Sequence, residues 1–249
     1  MHSAELRARA RQQYLSGSTV AEVARQHGLP YPTVWHWCRD RPRPAVRGTA
    51  LRCFRCRPGL DGPENPAAYA YLLGLYLGDG HLTTSARVPV LRIACSDAWP
   101  GLIELCAAAM RATLATSVQR VQQPGCVSVQ SYGTHWPCLL PQHGPGKKHE
   151  RPIVLAGWQR EIVAAQPGHL LRGLFHSDGA RFANPVRRDQ RIYVYPRYMF
   201  TNRSADIMRL CQWALDLLGI SWRMNRPDSL SVARRGAVAA LDRHVGPKS

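Results

Sequence analysis

The amino-acid sequence predicts an α+β fold in which one mixed unit occurs twice, behind a small all-helical segment. Residues 71–80, YLLGLYLGDG, return as residues 170–179, LLRGLFHSDG, so Gly74, Asp79 and Gly80 recur as Gly173, Asp178 and Gly179 at one constant offset. Behind each copy the hydrophobic period changes in the same order, from strand to helix to paired strands to helix. Residues 4–39, in contrast, carry helix periods, caps and turns only. Each repeated stretch is an apolar helix ending in Asp-Gly. A carboxylate there serves a core badly, so Asp79 and Asp178 stand out as candidates for chemistry.

In chain order, residues 4–15 form an Arg-rich helix with Ala4, Leu6, Ala10 and Tyr14 facing inward, and Gly17 breaks it. Thr19 stands three residues before Glu22, the spacing of a capping box, and Val20, Val23 and Ala24 give a second short helix its inner face. Gly28-Leu29-Pro30 makes a turn, and Pro32 suits the first turn of a third helix that runs to about Arg39. Residues 1–43 thus resemble a helix-turn-helix DNA-binding domain. That resemblance implies that Tyr31, Thr33, His36 and Arg39 lie on or beside a recognition helix, within reach of base edges or phosphates. A three-helix packing module is the alternative; eight Arg against three acids before residue 48 favour a DNA role.

Residues 44–65 read as a basic linker rich in Pro and Gly, able to track a phosphate backbone. Within it Cys53 and Cys56 form a CxxC, half the donor set of a tetrahedral zinc site, with Cys38 or His36 as further donors. No second CxxC follows, so an ordinary thiol pair stays open beside zinc.

The two-repeat region spans residues 66–249, with repeats at about 66–150 and 165–245. In the first, a motif helix at 67–78 leads to a strand at 88–95, an amphipathic helix at 100–114, strands at 117–121 and 126–132, and a helix at 134–140. In the second, the motif helix at 169–177 leads to a strand at 191–201, a helix at 204–218, strands at 221–225 and 229–233, and a last helix at 235–244. Leu105-Cys106 returns as Leu210-Cys211, and Val127-Ser128-Val129 as Leu230-Ser231-Val232.

A hydrophobic fraction of 45% allows a full core, while 33 Lys and Arg against 16 Asp and Glu leave a net charge of +17. Only Lys147, Lys148 and Lys248 are lysines. A surplus of arginine forks points to a polyanion, and double-stranded DNA is the expected partner. The sequence has no apolar run of membrane-spanning length, and its start, MHSAELRARA, has no secretory apolar stretch. The expected location is the bacterial cytoplasm, at the nucleoid, with the cysteines mostly reduced.

The two motifs resemble those of the LAGLIDADG (dodecapeptide) homing endonucleases in their two-motif, single-chain form. LLGLYLGDG matches at Gly74, Leu75, Asp79 and Gly80, and LRGLFHSDG at Gly173, Leu174, Asp178 and Gly179. The segment GPGKKHERPIVL is similar to the basic stretch before the second motif in intein-type members. The resemblance implies a pseudo-twofold αββαββα saddle in a monomer, with the motif helices packed through Gly74, Gly80, Gly173 and Gly179. It implies that Asp79 and Asp178 meet at the floor of the saddle and hold Mg²⁺, one acid serving each strand of a bound duplex. Lys147 and Lys148 would supply the basic group of one centre, and a second centre would draw on Arg. The second acid frequent in the family is replaced by Leu77 and His176; a histidine capping a helix end is the ordinary reading of the latter. Outward strand positions, Arg92, Arg120, Gln130, Arg191, Tyr193, Arg197 and Arg223, would face DNA. Two functions stay open: a Mg²⁺-dependent, sequence-specific DNA endonuclease, and a non-cutting transcription regulator on the same fold.

Overall fold

A computed structural model describes residues 3–39, 62–84 and 86–248 of the chain. The chain divides into two units, Met1–Arg52 and Cys53–Ser249. Cys53 and Cys56, and with them the zinc reading, lie outside the described residues.

The first unit is three helices, α1 (Ala4–Leu15), α2 (Val20–Gln26) and α3 (Tyr31–Arg39). Ser3 caps α1, and Thr19 with Glu22 makes a complete capping box on α2: the Thr19 hydroxyl accepts from the Glu22 amide, and the Glu22 carboxylate accepts from the Thr19 amide. Gly28, at φ 61°, takes the left-handed turn between α2 and α3 that a side chain would resist. Ala10, Val23, Ala24, Val34, Trp37 and Cys38 form the core, with Leu6, Tyr14, Val20 and Leu29 against it.

The second unit opens with α4 (Pro66–Asp79), capped by Asn65, whose side chain accepts from the Ala68 amide at 3.0 Å. Every residue from Tyr69 to Leu77 is buried, as expected of a helix apolar on all sides. The chain continues through β1 (Gly80–Thr83), β2 (Val90–Ser96), α5 (Pro100–Thr113), β3 (Gln119–Gln123), β4 (Cys126–Tyr132) and the short α6 (Trp136–Leu139). A 3₁₀ turn at Lys148–Glu150 and α7 (Gly157–Ala165) link the halves. The second half repeats the order: α8 (Pro167–Asp178), β5 (Gly179–Arg188), β6 (Arg191–Thr201), α9 (Ala205–Leu217), β7 (Arg223–Arg226), β8 (Ser229–Val232) and α10 (Arg235–Val245).

The sheets are antiparallel and have one topology, β1-β2-β4-β3 and β5-β6-β8-β7. The fold class is therefore α+β with a duplicated αββαββα unit. Strands β1 and β5, each starting at the glycine after the motif acid, are absent from the sequence reading, as is α7. Strands β3 and β7 begin two residues later than expected.

The two halves share one core, and α4 against α8 is its densest helix contact. Gly74 and Gly173 set that approach. A Cβ on Gly74 would lie 2.5 Å from the Leu170 carbonyl oxygen and 2.8 Å from the Gly173 Cα, and one on Gly173 would strike the Tyr71 carbonyl oxygen. Gly80 and Gly179 act differently: a side chain there would collide with Tyr76 and Phe175 of the preceding helix, where the chain turns from helix into strand. A buried polar chain ties the inter-repeat segment to α4. Gln159 donates to the Tyr69 hydroxyl at 2.6 Å, which donates to the Leu139 carbonyl at 2.6 Å.

Candidate active site

Because α4 and α8 pack through their glycines and each ends at its acid, Asp79 and Asp178 finish side by side. A Cβ on Gly78 would lie only 3.0 Å from an Asp178 carboxylate oxygen. Both carboxyls resist ionisation. Asp79 reaches solvent by area, yet the protein packed around it raises its pKa to about 6, chiefly by loss of water and then by the charge of Asp178. Burial likewise raises Asp178, opposed by the Asn202 amide, which donates to its carboxylate at 2.7 Å. A helix C-terminus adds negative potential at both carboxyls. Positive charge is needed there.

It comes from two lysines in matching places. Lys148 Nζ donates to the carbonyls of Tyr76 (2.7 Å), Gly80 (2.9 Å) and Gly78. Lys248 Nζ donates to the carbonyls of Gly179 (2.6 Å) and Ser177 (3.5 Å). Gly78 and Gly80 of the first motif correspond to Ser177 and Gly179 of the second, so each motif end binds one lysine through equivalent oxygens. Burial brings the Lys148 pKa down to about 8 and lowers that of Lys248; both carboxylates counter the fall in each. Lys147, the neighbour of Lys148, is 72% exposed and pairs with Glu150 at 3.5 Å.

Sequence reasoning missed Lys248. It lies at the far end of the last element from its target, and only the return of α10 along α8 brings it in. The basic group that the structure places at the second motif end is thus Lys248 and not an Arg. The one available signal was that Lys148 and Lys248 follow Asp79 and Asp178 at nearly the same distance along the chain.

His176 is buried at 2% exposure: its Nδ1 lies 3.0 Å from the Tyr71 hydroxyl across the seam, and its ring lies against the backbone at the end of α10, Val245 and Gly246. Burial holds its pKa near 4, with Arg172 and Lys248 adding to the effect, so the ring is neutral at pH 7. Leu77 is fully buried packing. On the first-repeat side, Tyr76, His81, His143, Lys148 and Arg151 line a cleft that extends to Asp178, Asn202 and Arg203. The His81 and His143 rings meet edge to face at 5.7 Å.

Strand register decides which side chains share the sheet face away from the helices. Ile93, Val129, Phe200 and Leu230 point into the core, so their neighbours in sequence point outward. On the first sheet's open face Arg92 pairs with Gln130; Arg92 Nε donates to Gln130 at 3.1 Å, and Gln130 donates to Gln119 at 3.0 Å. On the second, Arg191, Tyr193 and Arg197 share the parity of Met199, and Arg223 joins them through Ser231. Arg120 departs from this set. It pairs in register with the core residue Val129 and bonds Glu104 of α5 at 2.5 Å, so it lies on the helix side. In the first unit Tyr31 and His36 are exposed on α3, Thr33 is half-buried, and the Arg39 side chain lies outside the described residues.

Among the described residues no three His, Cys, Asp or Glu cluster as a metal cage. The donors at the motif ends are the two carboxylates, hard oxygens, since the carbonyls beside them accept from Lys148 and Lys248. Such a set fits Mg²⁺, which keeps waters and takes part of its shell from a phosphate; it does not fit zinc. No helix among the described residues is long and apolar enough to cross a membrane.

No protein-family model and no curated protein matches the chain. Among solved structures it is similar to the meganuclease I-SmaMI bound to an uncleaved DNA target in the presence of calcium ions. That match has 10% identity, a TM-score of 0.46, and covers 73% of this chain and 85% of that one. It is similar also to the N-terminal LAGLIDADG domain of WhiA, at 12% identity and a TM-score of 0.45, over 73% of this chain and 83% of that one. Full-length WhiA from Thermatoga maritima matches at 12% identity and a TM-score of 0.43, over 77% of this chain and 58% of that one.

Proposed function

We propose that the chain is a Mg²⁺-dependent endonuclease that binds double-stranded DNA across its two open sheet faces and cuts a phosphodiester in each strand. The observation that carries this is the pair of carboxylates at the helix seam, Asp79 and Asp178, with Lys148 and Lys248 bound at the two motif ends and each feeling both acids. A fold needs neither two carboxylates forced together nor two lysines bound beside them. Asp79 and Asp178 would hold the metal, which supplies Lewis-acid stabilisation and a more acidic water. Asn202 orients the Asp178 carboxylate. The lysines, fixed on three and two carbonyls, place positive charge where a phosphoryl oxygen gains negative charge. Arg92, Arg191, Tyr193, Arg197 and Arg223 hold the duplex in register, with the buried Gln130 bonded to Arg92 and positioning it.

The first unit supports a second reading. Three helices, two of them capped, with Tyr31 and His36 exposed on α3 suit a helix-turn-helix reader, which is equally at home in a non-cutting regulator. One experiment separates the two. A duplex selected from a random library by the full chain is placed in a plasmid and treated with protein in Mg²⁺ or in EDTA. Cutting in Mg²⁺ alone, abolished in Asp79→Asn/Asp178→Asn with binding retained, supports the nuclease. Tight binding without cutting supports the regulator.

A further inference from the structure

The two centres are alike, but the strands that lead away from them are not. Strands β1 and β5 each begin at the residue after the motif acid, so the paired ribbon on each side is counted from the same point, with residues 84–89 connecting β1 to β2. β1 has 4 residues and β5 has 10. At about 3.4 Å per residue they extend about 14 and about 34 Å. β5 stays paired with β6 over its whole length, from Gly179–Phe200 to Arg188–Arg191, and Asp189 and Gln190 turn the chain at φ 46° and 63°. β8 joins β6 only at Tyr198–Thr201. Beyond that point, among the described residues, the second sheet is a two-stranded ribbon.

The ribbon's faces differ in chemistry. Its open face continues the parity of Met199 and carries Phe182, Asn184, Val186, Arg191, Tyr193, Tyr195 and Arg197. Tyr193 and Tyr195 are 41% and 44% exposed, and their rings stack at 6.3 Å and 16°. The opposite face carries Ile192, Val194 and Pro185, with Arg187 as its one charge beyond Tyr198 among the described side chains. The paired tyrosines end in hydroxyls able to give and take hydrogen bonds, and they stand between arginines. A major groove admits a two-stranded β-ribbon, and this open face has the donors and charge to read one.

We infer that the chain recognises unequal half-sites. On the side of the second repeat its contacts run about six base pairs further from the cut, because about 20 Å of extra ribbon spans that many steps of about 3.4 Å. Tyr193 and Tyr195 read this extension, and Arg191 holds the phosphates beside it. The inference rests on the DNA-binding reading above and adds where its specificity lies.

The test is a hydroxyl-radical footprint of the full chain on the duplex it selects from a random library, compared with Arg191→Ser/Tyr193→Ser/Tyr195→Ser. The triple variant should lose protection over about six base pairs at one end only and bind about tenfold more weakly. It should keep protection around the cut, including any contributed by the N-terminal unit. Tyr195→Ser alone, a single exposed change, should clear part of the same end even if the triple variant folds poorly. Unchanged protection, or protection lost equally on both sides of the cut, overturns the inference and leaves DNA binding standing. A wild-type chain that selects no duplex overturns both.

Discussion

Asp79 and Asp178 are held in a state the isolated residues would avoid. With its pKa raised to about 6, folded Asp79 keeps a proton between about pH 4 and 6 that the unfolded chain has released. Its contribution to stability therefore falls as pH rises through that window, and burial drives Asp178 in the same direction. Asp79→Asn/Asp178→Asn removes the conflict. In EDTA the variant should melt higher than wild type at pH 7.5, with the gap closing toward pH 4; Mg²⁺ should then raise the wild-type Tm alone. His176 and His143, each brought down to about 4, work in the opposite sense. The unfolded histidines protonate first as pH falls, so both cost stability between about pH 6.5 and 4. Only the difference between variant and wild type isolates the carboxylates, and a gap that widens on acidification would contradict their placement.

The lysines give a second prediction at this scale. Lys148→Met and Lys248→Met each strip one centre while both acids stay. Each should convert double-strand cutting of a supercoiled plasmid into nicking, at a rate reduced about 100-fold or more for the affected strand. Opposite strands should be nicked by the two variants. Equal loss on both strands from either change would show that the centres do not act separately.

At the scale of elements, the seam between α4 and α8 tolerates no added atom. Gly74→Ala and Gly173→Ala press a methyl against backbone, which has no rotamer to change, and each should cost at least about 1–3 kcal/mol in urea unfolding. Gly236, in α10, has nothing within 4 Å of an added Cβ. Gly236→Ala should stabilise by about 0.4–1 kcal/mol. The motif helices were legible because an apolar run ending in Asp-Gly, written twice, is a local pattern. Strands β1 and β5 were not, since the Asp-Gly that opens each reads as a turn and the pairing that makes them strands lies on β2 and β6. Arg120 went to the wrong face because β3 is exposed along its whole length, so no apolar alternation in the sequence marks its inner side; only its pairing with Val129 on β4 does.

Across the whole molecule, a net charge of +17 in arginine-rich chain predicts association that depends on salt. If six to ten phosphates are neutralised, affinity should fall about 10³–10⁵-fold between 50 and 200 mM salt. A flat salt series measured by fluorescence anisotropy would remove DNA as the partner. By itself the sequence determined the duplication, the two helices that pack, the acids at their ends and the basic character, because each is carried by neighbouring residues or by a sum over the chain. Only the tertiary structure decided that Lys248 reaches the end of the second motif helix, that His176 meets Tyr71 across the seam, that Arg120 turns to α5, and that one strand pair is longer than the other. Those depend on segments brought together from distant parts of the chain, where core packing and strand register choose the neighbour and no local pattern names it.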